Sequence, residues 1–375
     1  MDWIPRLPEL VRRWGGAWAT LLTFVSIAAL FVMTGFLTRA YRVQRAALAR
    51  QEFQEAERLS AERRYSQSLE HYRAALSLSR DNTAYVLALA RTLVQLGQTK
   101  EAATYLSETL RADPTNGQAN LMMARISAEQ NDIESSMTYY HRAIFGYWPD
   151  DPVNKRHQVR LELADFLAEN GAIKQALSEL IALESEVPET PYMKRQMADR
   201  FLRYGMPERA IPLYRELTRT KDVTADTYAG LGEAYFDRAQ YHEALNAYSR
   251  ARTVDPQNLE YQERSNLIAE ILSLDPTIRR LSTREQYRRS TVLLERATDL
   301  LRECVESMPQ PPSSAAQALA AGQARLKARV TRPDSEAVEL NLFALDKVWT
   351  ARNETCPQQP VTDRALSILA ERLTQ

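Results

Sequence analysis

Glycine, cysteine and lysine are scarce in this chain, and neither sign of charge is in excess. Glycine accounts for 11 of the 375 residues, and runs that alternate β-branched with polar residues are missing, which argues against a β-sheet protein. The common residues are Ala, Leu, Glu, Arg and Gln, which all suit helices. We therefore predict an all-α fold.

The charges balance at 48 basic and 48 acidic side chains, so nothing indicates nucleic acid as a partner. Only seven of the basic residues are lysine, which leaves 41 arginines (48 − 7). This bias is commonest in proteins from GC-rich genomes and favours a bacterial source.

Two cysteines and four scattered histidines cannot make a convincing structural zinc site. Cys304 and Cys356 allow two interpretations: they are unrelated thiols, or they form one disulfide in an oxidising compartment. The histidines lack HExxH spacing, and the chain has neither a G-x-S-x-G motif nor a phosphate-binding loop. We expect no enzyme active site, no metal and no cofactor.

A long apolar run is present near the amino terminus. Residues 17–37 hold no charged side chain and are dense in Leu, Phe, Val, Ile and Ala. As a helix, these 21 residues would rise about 31 Å, close to the hydrocarbon thickness of a bilayer. We predict a transmembrane helix in contact with the lipid bilayer. The alternatives are a buried core helix and a cleaved signal peptide.

Arginines flank this helix on both sides, so the positive-inside rule does not decide its orientation. They are Arg6, Arg12 and Arg13 in the tail of residues 1–16, and Arg39, Arg42, Arg45 and Arg50 after the run. Taken literally, the rule favours a cytoplasmic main part. A short basic tail is costly to export, however, and a cysteine pair favours an oxidising side. We expect a single-pass cell membrane protein whose main part is extracytoplasmic (periplasmic), and cytoplasmic placement stays open.

Residues 38–61 contain neither glycine nor proline. The transmembrane helix is therefore expected to continue as a helical stalk over residues 38–48 and on into the next segment. That segment would sit close to the membrane on a stiff connection.

Small residues recur at a spacing of 34 through the middle of the chain and define six units of two helices. The units are residues 49–82, 83–116, 117–150, 157–190, 191–224 and 225–258. The small residue of each first helix is Ala56, Ala90, Ala124, Ala164, Ala198 or Gly232. Between the third and fourth units the spacing rises to 40, which marks an insertion near residues 146–156.

The second helix of each unit repeats the arrangement. Its small residue is Ser68, Ala102, Ser136, Ala176, Ala210 or Ala244, and four residues later comes Tyr72, Leu106, Tyr140, Leu180, Tyr214 or Tyr248. In the sixth unit the pattern is nearly complete, with Leu231, Gly232 and Tyr235 in the first helix and Pro256 at the end. This pattern is similar to the tetratricopeptide repeat (TPR).

The TPR resemblance covers residues 49–275 and implies a right-handed superhelical solenoid of about six repeats, because one repeat cannot bury its apolar face alone. In TPR proteins the first helices line a concave groove that takes extended or helical peptides. The residues expected to face such a groove here are Arg91, Arg125, Asp165, Asp199 and Glu233. We predict a groove that is basic near the membrane, flanked by Leu87, Asn120 and Leu121, and acidic further along. An ordinary solvated face is the alternative.

The insertion carries Tyr147 and Trp148 on a predicted surface loop, because Pro149 and Pro152 exclude a continuous helix. Either these aromatic residues pack back against the neighbouring repeats, or they form a contact point for a partner.

Residues 259–275 are predicted to form a capping helix, and residues 276–375 a carboxyl-terminal helical module. Ser282 and Glu285 predict a capping box at the start of its first helix. The module is expected to be a small bundle or an extension packed on the end of the repeats.

Together these features predict a membrane-anchored TPR scaffold, an accessory or assembly subunit of a bacterial membrane complex whose partners are other subunits. A peptide-capturing receptor for protein export, import or envelope assembly is the alternative in the same class. An enzyme or regulator with its site in the carboxyl-terminal module is the alternative in a different class. A polar pocket there would favour it, and a filled apolar bundle would not.

Overall fold

The computed structural model describes residues 7–186, 190–221, 223–328, 330–358 and 361–374, with side chains from residue 21 onwards. The first six residues of the predicted tail, including Arg6, lie outside these ranges, as do the side chains of Arg12 and Arg13. Within the described residues the fold is all-α, which confirms the predicted class. The chain divides into two compact units, Met1–Glu179 and Leu180–Gln375.

Among its described residues, the amino-terminal unit contains seven helices, and an eighth continues into the next unit. They are α1 (Leu7–Ala61), α2 (Tyr65–Leu78), α3 (Thr83–Gln95), α4 (Thr99–Ala112), α5 (Gly117–Glu129), α6 (Ile133–Ile144), α7 (Pro152–Glu169) and α8 (Ile173–Glu184).

Helix α1 runs for 55 residues without a break. It includes the predicted transmembrane segment, the stalk and the first helix of the first repeat, and it begins within the predicted tail. The side chains from Leu21 to Leu37 are exposed along it. By length and composition α1 can cross a membrane, a property that it shares with signal sequences. The helix ends before Arg63, which adopts a left-handed conformation with φ of 59°.

Small residues bring the paired helices of this unit together. Ala56, Ala90 and Ala124 are all 0% exposed. Where the facing small residue is serine, its hydroxyl donates to the backbone of the partner helix: Ser68 to Ala56 O at 2.8 Å and Ser136 to Ala124 O at 2.9 Å. A larger side chain at these positions would separate the helices.

The carboxyl-terminal unit contains nine further helices within the described residues. They are α9 (Pro191–Arg203), α10 (Pro207–Leu217), α11 (Ala225–Asp237), α12 (Tyr241–Val254), α13 (Leu259–Leu274), α14 (Thr283–Glu306), α15 (Ser313–Lys327), α16 (Ser335–Thr355) and α17 (Arg364–Leu373). In the pair α11–α12, a Cβ on Gly232 would lie 2.7 Å from the ring of Tyr248, so the close approach requires glycine.

The helices after the last repeat share its apolar core. Tyr248 and Ala251 of α12 belong to the same buried cluster as Leu294 of α14, Trp349 of α16 and Leu366 of α17. Helix α13 packs between α12 and α17. The carboxyl-terminal module is therefore an extension that packs on the end of the repeats in this unit.

Only half of the predicted capping box is formed at the start of α14. The Ser282 hydroxyl accepts a hydrogen bond from Glu285 N at 3.3 Å. The Glu285 carboxylate does not return the bond, because it accepts hydrogen bonds from Arg288 and Arg289 instead.

Candidate functional site

A groove in the amino-terminal unit lies among the first helices of three successive pairs, α3, α5 and α7. It has a volume of about 670 Å³. Its basic side chains are Arg91, Arg125 and Lys155, and its acidic ones are Glu129, Asp150 and Glu162. Apolar and aromatic contacts come from Val94, Leu121, Met122, Trp148 and Val159. Two of the predicted groove arginines are thus brought to one surface.

Arg91 and Arg125 differ in their partners. Arg125 donates two hydrogen bonds of 2.7 Å to the Glu162 carboxylate, and this pairing raises the pKa of Arg125. The Tyr140 hydroxyl donates to the same carboxylate at 2.9 Å. Arg91 is exposed and has no hydrogen bond or ion pair with any described residue. Arg91 is therefore ready to pair with an incoming acidic group, and Arg125 would first have to release Glu162.

The acidic residues that were predicted to face the groove form hydrogen bonds and ion pairs within the protein. Asp199 accepts hydrogen bonds from the Tyr214 hydroxyl at 2.5 Å and from Arg195 Nε at 3.0 Å. Glu233 accepts from the Tyr248 hydroxyl at 2.5 Å and from Arg264 at 2.8 Å. Asp165 is partly exposed and also has a partner. Asp199 and Glu233 are therefore paired with arginines and hydrogen-bonded to tyrosines, and they do not form the free acidic surface that we expected.

Leu87 and Asn120, predicted to flank the basic part, are buried instead, at 7% and 0% exposure. Asn120 Nδ2 donates to Pro114 O at 3.0 Å and to Asn116 O at 2.9 Å, which ties the preceding turn to α5. The sequence pattern missed this because the helical period alone does not show which polar side chain turns back to its own backbone. Leu121 does line the groove.

The insertion separates its two aromatic residues. Trp148 is buried, and its indole Nε1 donates to Ala143 O at 2.9 Å. It packs on Gly117, where a Cβ would lie 2.4 Å from the indole ring. In the structure, Trp148 therefore packs back against the neighbouring repeat, which is the first of the two interpretations. The Tyr147 side chain is 65% exposed, but its backbone is held in place. Its N–H donates a hydrogen bond to Thr115 O at 2.7 Å, and its carbonyl accepts one from Gly117 N at 3.0 Å. Tyr147 is thus presented to solvent on a fixed loop.

Cys304 and Cys356 are joined by a disulfide, with their Cα atoms 6.2 Å apart. Both cysteines are buried. The bond links the end of α14 to the residue that follows α16, so it fastens two long helices of the carboxyl-terminal module.

Comparisons with known proteins point to one repeat family. The profile of the tetratricopeptide repeat family matches residues 59–126 and 93–145. The TPR repeat-containing thioredoxin TTL4 of Arabidopsis thaliana is 26% identical over 211 residues. That alignment covers 52% of this chain and 31% of the relative, so the chain spans about a third of that protein.

Three solved structures illustrate the similarity to known folds. PilF of Pseudomonas aeruginosa is 17% identical, with a TM-score of 0.43 over 59% of this chain and 97% of that chain. PilW, described as a widely conserved type IV pilus biogenesis factor, is 17% identical, with a TM-score of 0.43 over 58% and 97%. YrrB, a TPR protein with an unusual peptide-binding site, is 14% identical, with a TM-score of 0.41 over 52% and 97%.

Proposed function

We propose that this tetratricopeptide-repeat protein, a scaffold for protein–protein interactions, is anchored in a bacterial membrane as an accessory or assembly subunit of a complex. The observation that carries the proposal is the continuity of α1. One helix includes both the apolar segment and the first half of the first repeat. A partner bound to the repeats would therefore be held beside the membrane at a fixed distance.

The groove among α3, α5 and α7 is the proposed binding surface. Arg91 offers an unpaired guanidinium, Leu121 and Val94 offer apolar contact, and Tyr147 stands exposed on the neighbouring insertion. A guanidinium next to apolar side chains suits a peptide segment that carries an acidic residue beside apolar ones. The partner that we propose is another subunit with such a segment.

The proposed location of the repeats is extracytoplasmic. The disulfide supports it, because disulfides persist in oxidising compartments and are rare in the cytosol. With the amino terminus in the cytoplasm, α1 would carry the repeats and the carboxyl-terminal module across the membrane.

A peptide-capturing receptor remains the second candidate, and the unpaired Arg91 in an open groove favours it. A polar cleft at Asp346, Lys347 and Glu354 is open to the surface rather than enclosed in the core, so the enzyme alternative receives less support from the carboxyl-terminal module. Its described interior is filled by apolar side chains such as Leu294, Leu345 and Trp349. The buried Asn341 is hydrogen-bonded to Ser290 and Thr291.

The test is extraction of the full chain in mild detergent, followed by identification of the subunits that co-purify. We expect Arg91→Glu to reduce their recovery about tenfold, which corresponds to about 1.4 kcal/mol of binding free energy. Lys100→Glu is the control, because Lys100 is exposed on α4 and does not line the groove. Recovery of the wild-type protein as a lone monomer would overturn the complex-subunit proposal. Release of the protein from membranes by alkaline carbonate would overturn the proposal that α1 is a membrane anchor.

A further inference from the structure

A small cleft in the carboxyl-terminal unit brings together three arginines. Arg215 and Arg219 come from the end of α10 and the turn after it, and Arg250 comes from α12. Within the described residues, none of these guanidiniums has a hydrogen bond or an ion pair with a carboxylate. Glu243 is the one acidic side chain in the lining, so the cleft carries a net positive charge. We call this surface the arginine cleft.

The remaining walls of the arginine cleft are aromatic and apolar. Tyr228 and Tyr235 of α11 are partly buried there, beside the buried Leu231. The Arg250 guanidinium lies over the Tyr228 ring, 6.0 Å from its centroid, which holds the charge at the edge of the cleft. The hydroxyls of both tyrosines have no hydrogen bond with a described residue and add two donors.

The arginines of the cleft have no carboxylate partner among the described residues, whereas other arginines in the same unit do. Arg195, Arg264 and Arg372 each lie within 3.0 Å of a carboxylate oxygen. Neighbouring guanidiniums that are paired with no carboxylate repel one another, and a bidentate carboxylate would relieve this repulsion. Although Glu243 lines the arginine cleft, none of the three arginines is paired with a carboxylate of any described residue.

We propose that the arginine cleft binds an acidic segment of a partner protein through two or three neighbouring Asp or Glu side chains. Its volume of about 230 Å³ is enough for short side chains and too small for a folded domain. Leu231 and the tyrosine rings would contact the methylene groups of those side chains, which an isolated inorganic anion lacks. The proposal concerns a different surface from the groove at Arg91 and does not depend on membrane anchoring.

The probe is a fluorescein-labelled hexaglutamate peptide, with hexaglutamine as the neutral control, titrated with the full chain in a nonionic detergent. Fluorescence anisotropy should report binding of hexaglutamate only. The triple variant Arg215→Gln, Arg219→Gln and Arg250→Gln should weaken it at least tenfold. The matched control removes the same charge outside the cleft, at the exposed residues Arg238, Arg252 and Arg279, and should bind within twofold of wild type.

Several results would overturn the proposal. They are an absence of hexaglutamate binding, an equal loss in the control triple variant, or a loss caused by Arg91→Glu. Full competition by inorganic phosphate at the concentration of the peptide would assign the cleft to phosphate instead. If the triple variant fails to fold by circular dichroism, the single variant Arg219→Gln serves, since Arg219 lies in a turn. It should weaken hexaglutamate binding about threefold, and unchanged binding would count against the proposal.

Discussion

Tyrosine hydroxyls connect the two helices of a repeat through carboxylates. Tyr72 donates to Glu57, Tyr214 to Asp199 and Tyr248 to Glu233, and each pair is separated by 15 residues. Each carboxylate directly follows the small residue of the first helix. Burial and the adjacent carboxylate raise the pKa of all three tyrosines, so the hydroxyl keeps its proton and acts as the donor.

Replacement of Tyr214 by phenylalanine should therefore destabilise the protein. We expect a loss of about 1.5 kcal/mol in the free energy of unfolding, because a hydrogen bond to a charged acceptor is removed while Asp199 keeps Arg195. Urea denaturation followed by circular dichroism measures the loss. Tyr192→Phe is the control, since Tyr192 is 63% exposed. An equal loss in both variants would contradict the assigned role of the Tyr214 hydroxyl.

Residue-level roles were only partly predictable from the sequence. The spacing of 15 between the acids and the tyrosines is visible in the sequence and could have identified Asp199 and Glu233 as structural. The position in which the Trp148 side chain packs could not be predicted from the sequence in the same way. It depends on Gly117 and on a bridge between Asn116 and Tyr147, two segments that only the folded chain brings together.

At the level of the helices, the first turn of α14 is held by charge. Glu285 accepts hydrogen bonds from Arg288 and Arg289, and these bonds lower the pKa of its carboxyl from 4.5 to about 2. Arg289 also donates to the carbonyls of Leu272 and Asp275, so the same contacts fasten α14 to the end of α13.

The stability that Glu285 provides should depend on pH in one direction. A lowered pKa in the folded state means that the stabilisation is complete above pH 4.5 and is lost as the pH falls towards 2. We expect Glu285→Gln to lower the thermal midpoint at pH 7 and to have a much smaller effect at pH 2, where about half of the Glu285 carboxyls are protonated in the folded state. Glu295→Gln, an exposed change on the same helix, is the control. A difference of the same size at pH 2 as at pH 7 would contradict this assignment.

The helices themselves follow closely from the sequence, because repeated small residues at a fixed spacing determine where helices can touch. The left-handed turns at Gly97, Asn131, Gly171 and Gly205 were also readable, since these residue types tolerate positive φ. The partner of the Glu285 carboxylate was not, because Ser282 N and the two arginines compete for it. Sequence spacing alone does not rank those competitors.

At the scale of the whole molecule, the disulfide closes a large loop. Cys304 and Cys356 are separated by 52 residues, and α15 and the whole of α16 lie between them. A cross-link over such a loop restricts the unfolded chain more than the folded one. Its loss should therefore act on the stability of the carboxyl-terminal module and leave the amino-terminal unit unchanged.

Reduction should lower the free energy of unfolding by about 2–4 kcal/mol. Urea denaturation with and without reductant measures this change in the wild-type chain. In the double variant Cys304→Ala and Cys356→Ala, the reductant should have no further effect. An identical transition of the wild-type chain in both conditions would show that the bond does not form in solution and would weaken the proposed extracytoplasmic location.

In the proposed anchored state, helix α1 determines the direction in which the groove faces as well as its distance from the membrane. Each residue added to or removed from the stalk of residues 38–48 turns the repeats by about 100° around the helix axis and moves them by about 1.5 Å. In the anchored state that we propose, the number of residues in the stalk thus determines the direction in which the groove faces around the membrane normal. Stalks that differ by seven residues would leave the groove facing the same way to within about 20°, and about 10 Å nearer to or further from the lipid.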